Sequence, residues 1–553
     1  MAQYKTPGVY VVEKNAFPNS VVEVATAVPA FIGHTEFADN KGTSLAGKAW
    51  RITSMAEFHA YFGAAPKSTF SIKAIPVAGT APAANASGAA GEATSTAADG
   101  AAAETAVTPA QGSPAIVSDF SVTDIATKKR MEYSISQDGT PYILYYSMLL
   151  FFQNGGGPCY IVSIGNYQDD LDADKIKGGI DVLLKEQEPT MVVVPDAVHL
   201  SLADCTDVQT AALMHCGFKM RNRVALLDVY DGYKDRQDPA GDCVAQFRDA
   251  IGTNFLDFGT AYYPWVNTSI VKEKDIDFTS ISNLDVLTTL LQQELSPIID
   301  AKEPTPAAKV KIDQLKAALD SITVDHSKSK DPVTDILTLN KTLLAVSALY
   351  PQIIVAIQKK LNLLPPSAGM AGLYTMVDNT RGVWKAPANV SMNGVVSPTV
   401  SISNDEQEDL NVTTAGKSIN AIRSFIGEGV LVWGARTLDG NSLDWRYISV
   451  RRTMIMIEES IKQACKAYVF EPNTANTWVT IKSMVRNFLT SVWKRGGLAG
   501  ASPDDAFSVF VGLGETMTAD DILEGLMKVS VLVAVSRPAE FIEITFQQQM
   551  QKS

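Results

Sequence analysis

Apolar runs and amphipathic stretches alternate regularly through the middle of this chain. Apolar runs predict strands at 159–164, 191–194, 224–227 and 260–265. Apolar positions that recur every three or four residues predict helices at 141–154, 174–185, 203–216 and 243–251. Buried strands that alternate with amphipathic helices are typical of a layered α/β domain with a largely parallel sheet.

The pattern changes after residue 266. Long helical stretches at 283–293, 307–319 and 336–361 predict a helical insertion over 267–362. A glycine- and aromatic-rich stretch at 365–389 predicts irregular chain. From about residue 410 an α+β segment follows, with strands predicted at 429–433, 507–511 and 540–546 and helices at 447–470 and 476–494. The fold class is therefore α/β and α+β, in several domains.

Both ends of the chain carry short strand-like segments, at 8–13 and 540–546. Their candidate interface residues are Val9, Tyr10, Val11, Val12, Phe541, Ile542, Ile544 and Phe546. An extended terminal segment can add to the sheet edge of a neighbouring molecule through main-chain hydrogen bonds. The alternative is that both segments pair within their own chain.

Residues 78–110 differ in composition from the rest of the chain, with 15 alanines and only three charged residues. Alanine favours helix, but the interleaved Gly, Pro, Ser and Thr oppose a continuous one. We expect a low-complexity surface loop, and the alternative is an adhesive or recognition tip.

The charge balance argues against a nucleic-acid partner. The 553 residues include 60 acids and 47 bases, a net charge of −13, whereas phosphate binding needs an excess of Lys and Arg. No apolar stretch has the ~18–20 residues of a membrane-spanning helix, and no apolar signal core opens the chain. Five scattered cysteines indicate reduced thiols. We expect a soluble protein made in the cytosol.

The motifs that mark common catalytic sites are missing from the sequence. It has neither a phosphate-binding loop nor a nucleophile elbow, and Gly155 to Gly157 follow a helix instead of opening one. His215 and Cys216, with Cys205 nearby, match no usual zinc spacing. We therefore assign no catalytic, cofactor or metal residues, although no sequence pattern excludes a pair of catalytic carboxylates.

One third of the arginines lie between residues 420 and 460, where no lysine occurs. They are Arg423, Arg436, Arg446, Arg451 and Arg452. Five acids share this stretch: Glu428, Asp439, Asp444, Glu458 and Glu459. Because a guanidinium group suits bidentate carboxylate pairing, the set indicates either an intrachain ion-pair lattice or a subunit interface.

The helix predicted at 476–494 carries a basic stripe. Lys482, Arg486 and Lys494 lie four and eight residues apart, Arg495 adjoins them, and no acid occurs between Glu471 and Asp504. Such a stripe either faces solvent or binds an acidic partner.

Two groups of segments carry a resemblance. The first consists of 4–13, 25–33, 151–157, 159–162 and 261–265. The second consists of 365–367, 371–372, 382–389, 420–423, 433–438, 445–447, 450–452, 470–472 and 538–542. In this order they resemble the contractile tail sheath proteins of bacteriophages and phage-tail-like injection systems. Residues 66–140 and 267–362 depart from the family pattern.

The resemblance implies a discontinuous assembly core formed by both termini, a layered α/β middle domain and surface insertions. The implied parts are an N-terminal strand-exchange arm (1–22), an α/β domain (23–65 and 141–266), an Ala-rich surface insertion (66–140), a helical insertion (267–362), a connector that completes the middle domain (363–409), an assembly domain (410–536) and a C-terminal strand-exchange arm (537–553).

The resemblance also implies a function. Sheath subunits stack as six-fold rings around a rigid inner tube, exchange strands with neighbours, and contract to drive the tube through a target envelope. The implied partners are other copies of the chain, an inner tube protein, which the basic helix would face, and baseplate and terminal cap proteins. No nucleic acid, cofactor or direct membrane insertion is implied. Assembly would occur in the bacterial cytoplasm, before release of the particle.

Two other classes are weighed against this one. An α/β enzyme could hold a ligand at its strand ends, but the motifs for it are missing. A surface adhesin would explain the Ala-rich tract, but no secretory signal is visible.

Overall fold

A computed structural model of the chain describes residues 21–75, 118–123, 128–301 and 305–545. Its strands are β1 (Pro29–Gly33), β2 (Asp39–Asn40), β3 (Thr43–Ser44), β4 (Ala49–Ile52), β5 (Thr69–Ile75), β6 (Phe120–Thr123), β7 (Arg130–Asp138), β8 (Cys159–Ser163), β9 (Met191–Val193), β10 (Val224–Asp228), β11 (Gly259–Tyr263), β12 (Val266–Thr268), β13 (Leu363–Leu364), β14 (Val390–Ser391), β15 (Val395–Pro398), β16 (Asn420–Phe425), β17 (Gly429–Trp433), β18 (Phe507–Phe510) and β19 (Ser530–Val533).

The α-helices are α1 (Met55–Phe62), α2 (Leu144–Gln153), α3 (Ala173–Val182), α4 (Leu202–Met214), α5 (Cys243–Ala250), α6 (Leu284–Ile299), α7 (Pro306–Ser321), α8 (Pro332–Val346), α9 (Leu349–Leu361), α10 (Ser367–Arg381), α11 (Asn404–Asn411), α12 (Ile448–Cys465), α13 (Ala475–Lys494), α14 (Pro503–Ala506) and α15 (Ala519–Leu523).

A nine-stranded sheet organises the α/β domain, in the order β14-β17-β16-β11-β10-β9-β1-β8-β4. Its five central strands are parallel and run β8-β1-β9-β10-β11, which is the order of a doubly wound fold. Every residue of these five strands is buried, as a sheet covered by helices on both faces requires. The predicted α/β class is confirmed.

The large sheet extends further along the chain than the sequence pattern indicates. Strand β16 pairs parallel to β11, and β17 and β14 follow antiparallel. Residues 420–433, assigned to the assembly domain from sequence, therefore lie in the sheet of the α/β domain. The strand-forming character of a segment is local, whereas the sheet it joins depends on contacts with residues far away in the chain.

The two stretches predicted as separate insertions form one insertion lobe, composed of residues 69–75, 118–123, 128–138, 269–301 and 305–361. Strands β5, β7 and β6 make a three-stranded antiparallel sheet. The sheet contacts the helical part through the hydrogen bond from Ser282 N–H to the Phe70 carbonyl (2.9 Å) and the Lys360–Asp119 ion pair (3.1 Å). The Ala-rich tract at 78–110 lies outside the described residues.

The single helix predicted at 336–361 is wrong, because α8 and α9 are separate and meet at a bend of 115°. The hydroxyl of Ser347 accepts hydrogen bonds from the N–H groups of Leu349 (3.1 Å) and Tyr350 (2.9 Å), which start α9. A serine side chain thus replaces the helical carbonyl partner and starts a new helix. No single helix among the described residues is long and apolar enough to cross a membrane; α8 and α9 meet that test only as a bent pair.

The irregular chain predicted at 365–389 is also wrong over most of its length, because Ser367 to Arg381 form α10. The glycines of this helix face α2. A Cβ atom on Gly372 would lie 2.5 Å from the Phe151 carbonyl oxygen, and one on Gly369 would lie 3.1 Å from a methyl group of Leu150. The glycines that predicted a loop therefore form the surface on which α10 packs closely against α2.

A second hydrophobic core underlies the C-terminal lobe, which consists of the end of α12, α13, β18 and β19. Helix α12 connects the two cores, because Ile448 and Ile455 pack in the first and Met456 and Ile457 in the second. At ~1.5 Å per residue this 18-residue helix is about 27 Å long.

Candidate assembly interface

The carboxyl edge of a doubly wound sheet is where such folds bind ligands, at the point where the strand order reverses. Here that point lies between β1 and β9. The buried carboxylate of Asp196 fills it and accepts hydrogen bonds from the N–H groups of Ile143 (2.9 Å), Leu144 (3.1 Å) and His34 (3.1 Å). Because Ile143 and Leu144 begin α2, the chain's own carboxylate occupies the helix N-terminus where a phosphate would bind.

A second buried carboxylate repeats this arrangement at β10. Asp228 accepts hydrogen bonds from the N–H (2.9 Å) and the hydroxyl (2.5 Å) of Ser367, the first residue of α10. Burial raises the pKa of Asp228 to about 7, and the two bonds from Ser367 oppose that rise. This edge of the sheet therefore fixes two helices to the strands.

His215 and Cys216, considered as metal ligands, lie in a π-helical turn that continues α4. Burial, aided by the nearby Arg223, lowers the pKa of His215 to about 4, and burial raises the pKa of the Cys216 thiol to about 12. Arg223 donates to the carbonyl oxygens of Leu183 (3.2 Å) and Glu186 (2.6 Å), at the end of the turn that follows α3. Among the described residues, no three His, Cys, Asp or Glu side chains converge as metal ligands.

The N-terminal root, residues 21–28, ties the start of the chain to both cores. The Val28 N–H donates to the Thr190 hydroxyl in the α/β domain (2.9 Å), and the Val24 N–H donates to the Ser460 hydroxyl on α12 (3.1 Å). Thr26 lies between them, and its carbonyl oxygen accepts from Arg452 Nη2 (2.9 Å). The predicted strand at Val9 to Val12 lies outside the described residues.

The C-terminal root, residues 537–540, is held by a cluster of donors around one carboxylate. Glu540 accepts from Nε (3.0 and 3.2 Å) and Nη2 (2.7 Å) of Arg436, from the Tyr447 hydroxyl (3.0 Å) and from the Asn411 amide (3.1 Å). Arg436 is almost completely buried, so the pair is charge-assisted and shielded from solvent.

The chain leaves this cluster as an exposed apolar segment. Phe541, Ile542 and Ile544 have 74%, 79% and 68% of their surface exposed. Residues 540–545 are in no strand of the isolated chain, contrary to the strand predicted at 540–546, and Phe546 lies outside the described residues. A strand needs a second strand to pair with, and none of the strands that the structure describes pairs with this segment.

The C-terminal lobe contains a sheet of only two strands. β18 and β19 pair antiparallel from Phe507–Val533 to Phe510–Ser530, and no third strand among the described residues joins them. Two-stranded sheets are marginal on their own, and their outer edges leave backbone N–H and C=O groups available to other strands.

Three of the five predicted arginines form intrachain ion pairs. Arg436 binds Glu540, Arg452 binds Asp378 (2.6 Å) and Arg451 binds Asp257. The other two make neutral contacts: Arg423 donates to Asn404 (3.0 Å) and Gln407 (2.6 Å), and Arg446 to the Ser442 carbonyl (3.3 Å).

None of these three partners belongs to the acids that share residues 420–460. Asp378 and Glu540 were missed from sequence because they lie 74 and 104 residues away from their arginines. Asp378 is the only acid in α10, but this segment was predicted as irregular chain, so the sequence carried no local signal for its partner.

The basic stripe of α13 is largely neutralised by acids from other segments. Lys482 pairs with Glu515 (3.2 Å), Arg486 with Asp504 (3.0 Å) and Arg495 with Glu23. Lys494 is exposed and has no ion-pair partner in the described part of the chain. The positive charges of this acid-free stretch are therefore paired with acids from other segments, except at Lys494.

Comparisons with known proteins agree with this architecture. The family model of the phage tail sheath C-terminal domain matches residues 441–549. The tail sheath protein of Vibrio phage KVP40 is 24% identical over 169 residues, which cover 30% of this chain and 25% of that protein. The chain thus spans about a quarter of the length of this curated relative.

Solved structures match over nearly the whole chain. The helical sheath of the anti-feeding prophage (AFP) in its contracted state has 25% identity and a TM-score of 0.55, covering 99% of this chain and 100% of that one. The sheath complex of the PVC extracellular contractile injection system, also contracted, has a similar fold, with 23% identity, a TM-score of 0.53 and 99% coverage of both chains. These comparisons place the chain among proteins with the fold of contractile sheaths. Its C-terminal part is similar in sequence to phage tail sheath proteins, and its whole length is similar in fold to the AFP sheath.

Proposed function

We propose that this chain is the repeating subunit of a contractile sheath, which stacks as six-fold rings around an inner tube and contracts to drive that tube through a target envelope. The observation that supports this most directly is the exposed apolar segment at 541–544 on the same molecule as an unfinished two-stranded sheet. In the assembly, the exposed segment of one copy would add a strand to the two-stranded sheet of another copy.

Strand exchange is the proposed link between subunits. Residues 541–546 from one neighbour and 9–12 from another would pair with the outer edges of β18 and β19. Each arm then gains main-chain hydrogen bonds and buries its apolar side chains. Unpaired backbone groups and exposed apolar side chains are both unfavourable in the isolated chain. A sheet of four strands has the size that is stable in water.

We assign this sheath no catalytic step. The crevice that could hold a nucleotide is filled by Asp196, so the stroke is proposed to use the free-energy difference between two packings of the same subunits. The proposed partners are other copies of the chain, an inner tube protein, and baseplate and terminal cap proteins. We place assembly in the bacterial cytoplasm, with release as part of the finished particle.

Deletion of residues 1–13 tests the strand exchange. We expect a folded monomer that forms no tubes, whereas the full chain forms tubes of stacked six-fold rings in electron micrographs and pellets on centrifugation. Normal tubes from the deletion variant would contradict the arm assignment.

A matched deletion provides the control. Ile75 and Phe120 flank Glu132 and Tyr133 of β7 from opposite sides, so these two residues lie about two strand spacings, or ~10 Å, apart. Replacing residues 76–117 by a short Gly/Ser linker removes more chain than the arm deletion. We expect tubes to form normally from this variant.

We also propose that the exposed face of α13 lies against an acidic inner tube, with Lys494 as its main contact. The reversal Lys494→Glu breaks no ion pair with the residues that the structure describes, and we expect it to weaken tube-templated assembly, most strongly at low salt. Lys309→Glu, an equally exposed change on α7, is the control. Equal assembly of both variants at every salt concentration would remove this assignment.

A further inference from the structure

The roots of both terminal arms are held by the same short stretch of chain. Residues 436–460, here the coupling segment, begin at Arg436, which grips Glu540 at the C-terminal root. They continue to Arg452 and Ser460, which hold Thr26 and Val24 at the N-terminal root. These root contacts join residues that are 93 to 436 positions apart in sequence.

The two ends of the coupling segment are joined by rigid structure. Arg436 and Tyr447 form an antiparallel bridge, supported by the hydrogen bonds from Thr437 N–H to the Arg446 carbonyl (2.8 Å) and from Ile448 N–H to the Ala435 carbonyl (3.0 Å). Ile448 begins α12, which continues without interruption past Ser460. A regular helix resists stretching because every turn is closed by hydrogen bonds.

The ion pair that holds the N-terminal root is buried as well. Arg452 and Asp378 have 4% and 3% of their side-chain surface exposed, and Arg452 lies over the ring of Tyr374 at 4.6 Å. Asp378 also accepts from the Thr26 hydroxyl (2.6 Å), so the hydroxyl and the carbonyl oxygen of Thr26 are both held by this pair.

We propose that residues 436–460 mechanically couple the two arms, so that tension passes from one neighbour to the next through this segment and bypasses the insertion lobe. The proposal rests on the proposed function, because it assigns the arms to neighbouring subunits. Within it, Glu540 and Ser460 are positioning residues: they fix where each arm leaves the body.

The contacts at the C-terminal root and the contacts at the N-terminal root are links in series along one path. Loss of either link frees an arm root and removes the same restraint, so loss of the second link adds little. Independent anchors would behave differently, because the effects of separate sites add.

The test compares four single variants of the full chain and one double variant. Glu540→Gln removes the charge at the C-terminal root, and Glu273→Gln, an exposed change in the insertion lobe, is its control. Ser460→Ala removes the hydroxyl that holds Val24, and Ser449→Ala is its control, because that buried hydroxyl on the same helix has no hydrogen-bond partner among the described residues. The critical concentration for tube formation is measured by sedimentation.

We expect Glu540→Gln and Ser460→Ala each to raise the critical concentration about five- to tenfold, and the two controls to leave it unchanged. The double variant should match the more affected single variant. Single effects that multiply in the double variant, or variants indistinguishable from their controls, would overturn the coupling.

Two further measurements keep the outcome clear. Melting temperatures in dilute solution, below the critical concentration, separate an assembly defect from misfolding. The critical concentration of Tyr447→Phe tests a milder change at the C-terminal root, because the Tyr447 hydroxyl donates a hydrogen bond to Glu540. If the unchanged chain forms no tubes at any concentration, the proposed function fails. If it forms tubes and the double variant behaves additively, only the coupling fails.

Discussion

Replacing Asp378 with alanine is expected to destabilise the folded chain by about 3–5 kcal/mol, the usual cost of leaving one charge of a buried pair without its partner. Arg452 is 4% exposed and would lose both of its bonds to the carboxylate, at 2.6 and 3.0 Å. The Thr26 hydroxyl would lose its acceptor at the same time.

Chemical denaturation at low protein concentration measures this effect. Asp181→Ala is the matched control: Asp181 pairs with Lys219 at a similar distance (2.6 Å), but 54% of its side chain is exposed. An exposed pair contributes at most about 1 kcal/mol, because water screens it. Equal losses from the two substitutions would show that burial does not govern the Asp378 pair.

The second large effect concerns the close packing of α10 on α2. We expect Gly372→Ala to destabilise the chain by roughly 1–3 kcal/mol, because the new methyl group would lie 2.5 Å from the Phe151 carbonyl oxygen and 2.9 Å from the Asn154 Cβ atom. Backbone atoms cannot move aside as a flexible side chain can, so the two helices must separate.

The same substitution should have the opposite sign on another helix. Gly178 lies in α3, and a Cβ atom there would meet no atom within 4 Å. Gly178→Ala is therefore expected to stabilise the chain by up to about 1 kcal/mol through helix propensity alone. Melting temperatures of the two variants provide the comparison, and stabilisation by both would contradict the tight contact between α2 and α10.

Local patterns predicted the α/β domain well. Strands β8, β9, β10 and β11 and helices α2 to α5 lie within a few residues of their predicted positions, because each depends on the spacing of apolar residues within its own segment. The predictions failed where a distant contact decided the outcome. At the break between α8 and α9, Glu294 accepts hydrogen bonds from residues 347–349, which lie 53 to 55 positions further along the chain. Gly369 and Gly372 belong to a packed helix instead of a loop.

The candidate interface shows the same division. The arginine-rich stretch was visible in the sequence, but its partners were not, since Asp257, Asp378 and Glu540 come from three other segments. The basic stripe on α13 was also visible, while its acids arrive from residues 23, 504 and 515. Charge pairing depends on distances in space, and sequence spacing reports those distances only within one helix or strand.

By itself, the sequence determined the strand and helix rhythm of the α/β domain, the apolar terminal segments and the motifs that resemble those of tail sheath proteins. These are properties of short segments and of their order. Only the tertiary structure decided that the two insertions form one lobe, that Asp196 fills the ligand crevice, and that one stretch of 25 residues holds both arm roots. Each of these depends on contacts between residues far apart in the chain. Such contacts form only when the whole chain packs.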